Sequence, residues 1–313
     1  MGHTIGVDIG GTKVAAGVVD EQGKILARVR RDTPAQSPEA TLEVIVACIH
    51  ELATDHAVEA VGLGAPGFVD QARSTVLFAP NLAWRNAPVR AAIEQRTRLP
   101  VVLENDANAA AWGETLFGAG HGQPFTVTLT IGTGLGGGIV VGGVLLRGAF
   151  GIAAEVGHLN LIPDGRPCGC GLKGCWEQYA SGRALVREAQ ERAGRSPEDA
   201  AKLLALADGR AEHITGQQVT QAARDGDPVA VEAFRAVGAS LGHGMADLAA
   251  VLDPRVFILG GGVSAAGELV AAPARETFEA CLTAHDHRPI ADVRVAELGP
   301  DAGLIGAADL ARR

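Results

Sequence analysis

Thr4-Ile5-Gly6-Val7-Asp8-Ile9-Gly10-Gly11-Thr12-Lys13 reads as a buried strand, Thr4–Asp8, running into a glycine turn. A second strand, Val14–Val19, follows at once. Asp20-Glu21-Gln22-Gly23 turns the chain into a third strand, Lys24–Val29. The same order returns about 120 residues later. Phe125–Ile131 is a strand, Gly132-Thr133-Gly134 a turn and Gly138–Val141 a strand. Gly142-Gly143 and the strand Val144–Arg147 complete the copy. One pattern used twice fits two lobes of like topology. Two unrelated hairpins are the plain alternative.

Outward from these copies, helices are expected over Glu39–Thr54, Ala87–Thr97 and onward from Asp106, with strands at Val58–Gly64 and Pro100–Glu104. The second half is mostly helical: Gly182–Ala193, Ala200–Ala207, Gly216–Arg224 and a long helix from Pro228 towards Leu252. Strands Val256–Leu259 and Val293–Ala296 and a closing helix, Ala302–Arg312, end the chain. Alternating strands and helices predict an α/β protein of two lobes with a ligand cleft between them. The expected boundary lies where Gly118, Gly120 and Gly122 loosen the chain. Residues 1–117 then form the first lobe, with about 301–313 packing back on it, and 118–300 the larger second lobe.

The chain has 313 residues, 47% of them hydrophobic and 20% charged, which suits a soluble globule with more than one core. Its formal net charge of −9 disfavours a nucleic-acid surface. No apolar run approaches the roughly 18 residues of a membrane helix, and no signal peptide opens the chain. A cytoplasmic protein with no membrane partner is expected. Of five cysteines, three fall between Cys168 and Cys175. That spacing suits a metal site in a reducing compartment better than a disulfide framework.

Three glycine-rich turns follow apolar strands: Gly10-Gly11-Thr12-Lys13, Gly132–Gly138 and Gly260-Gly261-Gly262. Each could bring backbone N–H groups up to phosphate oxygens or a nucleotide, and each alone could be only a turn. Asp8, just before the first, could face a metal held by those phosphates. Glu104-Asn105-Asp106-Ala107-Asn108 runs from a strand into a helix. Asn105 suits an N-cap there, and Asp106 complements the helix dipole. The other reading is that Asp106 accepts a proton from a hydroxyl that receives phosphate; the motif alone leans to the cap and dipole. His158 with Cys168, Cys170 and Cys175 fits a closed Cys₃His zinc site, structural rather than catalytic. Cys48 and Cys281 stand apart on apolar helical faces, where core packing is the default.

Together these segments resemble the ROK family of sugar kinases and sugar-responsive repressors. The resemblance runs from Asp8–Lys13 through Gly64-Ala65-Pro66-Gly67, Ala79-Pro80-Asn81 and Glu104–Asn108. It continues through Gly148–His158 and Cys168–Glu177 to Gly260-Gly261-Gly262 and Ala302–Ala308. It implies the actin-like ATPase (ribonuclease H-like) fold and an ATP-dependent hexose kinase acting on a 6-hydroxyl, glucose foremost. N-acetylglucosamine, N-acetylmannosamine, mannose and fructose are the alternative acceptors. By the resemblance, Asp106 is the catalytic base, and Gly67, Asn81, Asn105, Asp106, Glu155, His158 and Glu177 bind the sugar. Asp8, Gly11, Thr12, Lys13, Gly132, Thr133 and Gly134 belong to the phosphate and Mg²⁺ region, and Gly261 and Gly262 to the nucleotide loop. His158, Cys168, Cys170 and Cys175 are the zinc ligands. A homodimer or homotetramer is implied. The family's repressors carry a helix-turn-helix domain ahead of the kinase-like part, and none is expected here because Asp8 lies so near the start.

Overall fold

A computed structural model of the chain describes residues 2–313. The opening run forms β1 (His3–Ile9), β2 (Lys13–Val19) and β3 (Ile25–Asp32). Helix α1 (Pro38–Asp55) leads to β4 (Val58–Ala65), and three short strands follow: β5 (Phe68–Val69), β6 (Val76–Phe78) and β7 (Arg85–Ala87). Then come α2 (Val89–Thr97), β8 (Val101–Asn105) and α3 (Asp106–Phe117). The second copy forms β9 (Phe125–Ile131), β10 (Leu135–Val141) and β11 (Val144–Leu145). Helices α4 (Gly182–Arg195), α5 (Ala201–Leu206), α6 (Gly216–Arg224) and α7 (Pro228–Leu252) precede β12 (Val256–Gly260). Helix α8 (Glu268–Cys281), β13 (Asp292–Val295) and α9 (Ala302–Leu310) close the order.

One sheet runs β3-β2-β1-β4-β8 and another β11-β10-β9-β12-β13. Numbered within each copy, the two orders are the same. In the first, β1, β2 and β3 pair antiparallel, while β1–β4 and β4–β8 pair parallel. A mixed sheet of this order, used twice, is the actin-like ATPase arrangement. By internal contacts, the chain up to Thr128 forms one unit together with Gly137–Ala154 and Glu297–Arg313. Leu129–Gly136 and Glu155–Ala296 form a second unit.

The central strands of the first sheet are buried on both faces, so β1 and β4 read as continuous apolar runs rather than alternating ones. One face takes α1, whose Ile45, Cys48, Ile49 and Leu52 join Ile5, Val7, Leu63 and Leu103 in a single core cluster. Helix α1 starts cleanly because Pro38 fits its first turn and the Ser37 hydroxyl accepts from the Ala40 N–H. The other face takes α9 at very short range. A Cβ on Gly62 would lie 1.7 Å from the Ala307 carbonyl oxygen, and one on Gly6 would lie 1.9 Å from that of Leu304. Backbone therefore packs on backbone, and the Thr4 hydroxyl donates to the Ala308 carbonyl at 2.9 Å.

Some elements escape the sequence reading. Helix α8 contains Pro273, which breaks a helical pattern on inspection. Its cost is offset by packing, because Gly238 of α7 leaves the space that the Pro273 ring fills. Strand β10 begins at Leu135, so Gly136–Gly138 lie in the strand and only Gly132–Gly134 remain in the turn. Cys48 is buried in α1, as core packing requires. Cys281, by contrast, is exposed at the last residue of α8. Among the described residues, no helix is long and apolar enough to cross a membrane.

Candidate active site

The candidate residues fall into two constellations, one in each unit. In the first unit, Asp8 lies near the carboxyl end of β1, and Asp106 opens α3 directly after β8. Gly64 of β4 stands between them: it pairs with Asp8 on one side and with Glu104 on the other. A Cβ on Gly64 would be 3.7 Å from the Asp106 Cα. The parallel order β1-β4-β8 thus sets two carboxylates around a residue with no side chain, at strand ends where open α/β sheets bind ligands.

Asn105 does cap α3, accepting from the Asn108 N–H at 2.9 Å. Its amide also donates to the Gly67 carbonyl at 3.0 Å. Gly67 has φ +97, and a Cβ there would meet the Phe78 carbonyl oxygen at 2.1 Å, so only glycine fits. Asn81 is exposed and its Cβ lies 3.0 Å from the Cβ position of Gly11. Thr12 and Lys13 are exposed, and the Lys13 ammonium pairs with Asp32.

Burial, and after it the Asp106 carboxylate, pushes the Asp8 carboxyl up from 3.8 to about 7. In the protein without nucleotide or divalent cation, folded Asp8 keeps a proton that the unfolded chain has already released. The associated stability is complete below pH 3.8 and is lost as pH rises to about 7. Asp8→Asn stays neutral throughout. Calorimetry is expected to give a Tm advantage of D8N over the unsubstituted protein that is smallest near pH 4, grows towards pH 7 and then levels. A difference independent of pH would contradict the raised value.

In the second unit, two glycine turns meet. A Cβ on Gly261, which has φ +82, would lie 2.6 Å from the Ile131 nitrogen, next to Gly132. Thr133 and Gly262 are exposed beside them. The Gly132 carbonyl accepts from Gly182 at 2.8 Å, at the start of α4. A Cβ on Gly134 would lie 2.5 Å from Glu177 Oε2. Crowding by protein atoms, and after it the Glu177 carboxylate, raises the Glu155 carboxyl above its ordinary value, although part of its side chain faces solvent.

The cysteine loop is anchored by Trp176. Its buried indole donates to the Ser240 carbonyl at 2.8 Å and fills the gap left by Gly244 of α7. Ligand atoms of His158, Cys168, Cys170 and Cys175 all lie within 4.8 Å of one another. Zinc bound at ~2.3 Å to sulfur implies tetrahedral edges of about 3.8 Å. Cys170 Sγ and Cys175 Sγ are 3.6 Å apart, and Cys168 Sγ lies 3.7 Å from His158 Nδ1. The donor set and its spacing fit zinc. Nδ1 faces the sulfurs, which leaves Nε2 for another partner. Glu177 Oε1 sits 3.0 Å from Cys168 Sγ, so this carboxylate touches both the His/Cys cluster and the Gly132–Gly134 turn.

Glu104 carries no role legible in the sequence, and folding gives it one. It is buried at 1% exposure, with Arg147 Nε 2.8 Å and Arg73 Nε 3.1 Å from its Oε2. The available signal was a carboxylate in an apolar strand, which must find a partner. That partner cannot be read locally, since Arg73 and Arg147 are remote from Glu104 in sequence.

Duplicated mixed sheets with glycine turns at their strand ends define the actin-like ATPase class. Within it the chain belongs to the ROK family, which it matches over residues 4–313. A glucokinase from Streptomyces coelicolor is 54% identical over 312 residues, spanning all of this chain and 98% of that protein. The crystal structure of a ROK family glucokinase from Streptomyces griseus in complex with glucose and AMPPNP is 57% identical. It superposes with a TM-score of 0.92, covering 99% of each chain. A ROK hexokinase from Thermus thermophilus is 37% identical with a TM-score of 0.83, covering 99% of this chain and 98% of that one.

Proposed function

We propose that this chain is an ATP-dependent glucokinase, transferring the γ-phosphoryl group of ATP to the 6-hydroxyl of glucose. The observation that carries the reading is the carboxylate pair Asp8 and Asp106 on either side of Gly64. It is supported by full-length similarity to a glucokinase solved with glucose and AMPPNP.

Phosphoryl transfer needs positioned groups more than covalent chemistry. Asp106 orients the 6-hydroxyl and accepts its proton as the bond to phosphorus forms. Its place in the first turn of a capped helix keeps the carboxylate rigid. Asn81, Asn105, Glu155, His158 and Glu177 hydrogen-bond the remaining hydroxyls, and Gly67 lets backbone approach the sugar. A pocket built to pair every hydroxyl rejects analogues that leave a buried group unpaired.

Gly11, Thr12, Lys13, Gly132, Thr133 and Gly134 contact the phosphates, and Gly261 and Gly262 the nucleoside. Magnesium, when bound, neutralises charge on the β- and γ-phosphates, and Asp8 is the carboxylate that would hold it. Zinc on His158, Cys168, Cys170 and Cys175 would supply a rigid crosslink, fixing His158 and Glu177 at defined angles to the sugar. The same reading takes residues 1–117 with about 301–313 as one lobe and 118–300 as the other, in a cytoplasmic homodimer or homotetramer.

The test is ADP release with ATP and Mg²⁺ across glucose, mannose, fructose, N-acetylglucosamine and N-acetylmannosamine. Glucose is expected to give the highest kcat/KM. ADP release that depends on none of these sugars would overturn the proposal, and a preference for another hexose would replace the substrate.

A further inference from the structure

Three segments of the first unit meet on one buried carboxylate. Glu104 sits on β8, one residue before the helix cap Asn105 and two before Asp106. Its Oε1 accepts from the Asn105 backbone N–H at 2.9 Å and from the Asn108 side-chain amide at 3.1 Å. Its Oε2 faces Arg147 Nε at 2.8 Å and Arg73 Nε at 3.1 Å. Neither Oε2 nor the Arg147 Nε–H is aligned for a hydrogen bond, so that contact is electrostatic.

Each arginine fastens a further piece of backbone. Arg147 donates from Nη1 to the Gln71 carbonyl at 2.9 Å and from Nη2 to the Asp70 carbonyl at 2.8 Å. Arg73 holds a left-handed backbone, φ 54, in the turn that the Asp70 carboxylate closes by accepting from the Ser74 and Thr75 N–H groups. The Arg147 carbonyl accepts from Ala153, which folds the glycine-rich segment after β11 over the same place. A Cβ on Gly151 of that segment would lie 2.6 Å from the Val69 carbonyl oxygen.

We propose that Glu104, clamped by Arg147 and Arg73, is the positioning residue for Asp106. It grips both the backbone N–H at the strand–helix junction and the first turn of α3, and two guanidinium groups lock it against the 70–75 turn. The chemistry of the cluster suits this task. A carboxylate can accept four contacts at once, and a guanidinium donates in a fixed fork. Glutamine in its place still accepts at Oε1. Its amide then sets N–H donors against two arginine N–H donors, so the junction must shift. A displacement of about 1 Å at a reacting group can cost on the order of 10²-fold in rate.

The inference rests on the proposed kinase reading, and its test separates the two. Glu104→Gln is expected to lower kcat by roughly 10²-fold while the glucose and ATP KM values stay within about threefold, for protein shown by calorimetry to be folded at assay temperature. A role in stability alone would lower Tm and leave kcat per folded molecule unchanged, and that result overturns the proposal. Should E104Q not fold, the more exposed Arg73→Met is read by the same split, with the same outcome against it. If the unsubstituted protein releases no sugar-dependent ADP, the functional reading fails instead. The backbone at Asn105–Ala107 in a crystal structure of the variant then decides: a displaced first turn supports the placement, and an unmoved one overturns it.

Discussion

Asp106→Ala is expected to lower kcat by roughly 10²–10⁴-fold, the range for loss of a general base, while the protein stays folded and still binds glucose. The fold survives because Asp106 does not cap its helix. Asn105 does, through its bond from the Asn108 N–H. Alanine is the best helix former, so the first turn keeps its cap while giving up the local bond from Ala107 to Asp106 Oδ1 and a favourable dipole contact. Removing the charge also relieves Asp8, whose carboxyl returns towards its ordinary value once that repulsion is gone. Glucose binding by calorimetry beside ADP release checks both halves. Near-normal turnover in D106A would remove Asp106 from the chemistry.

Cys170→Ser is the second large effect. Metal analysis is expected to fall from about one zinc per chain to well below it, because a serine hydroxyl is not deprotonated as a thiolate is. Glucose affinity is expected to weaken by about tenfold or more, the scale seen when the support of a metal centre is lost. Cys170 is the informative one of the proposed ligands because it is exposed, whereas Cys168 and Cys175 are buried. Replacing it changes coordination without opening a cavity. Full zinc content with unchanged glucose affinity would refute the crosslink reading.

Much of the fold was legible because its signals are local. The glycine turns, the two copies of strand-turn-strand and the capped helices Gly216–Arg224 and Pro228–Leu252 are all written in neighbouring residues. The shared strand order of the two sheets makes the first copy a guide to the second. The short strands β5–β7 were not legible, since runs of two or three residues carry no period. Helix α8 was hidden by Pro273, which is tolerated only because Gly238 lies opposite.

The site divides in the same way. His158 and the three cysteines could be grouped from donor type and spacing alone. The clamp on Glu104 could not, because Arg73 and Arg147 reach it through folding rather than sequence. The contact of Glu177 with both the cysteine cluster and the Gly132–Gly134 turn was hidden for the same reason.

The seating of α9 on the first sheet has a consequence for how the chain is made. The strands that receive it leave the ribosome long before α9 does. Until residues 302–310 emerge, one face of β1 and β4 stands open, with Gly6 and Gly62 offering bare backbone and no side chain to shield it. The later-synthesised unit ends at Ala296, so it can complete its contacts sooner. Synthesis therefore delivers this protein out of order: the unit begun first is completed after the other, and a nascent chain stalled before α9 is expected to expose this face to a chaperone.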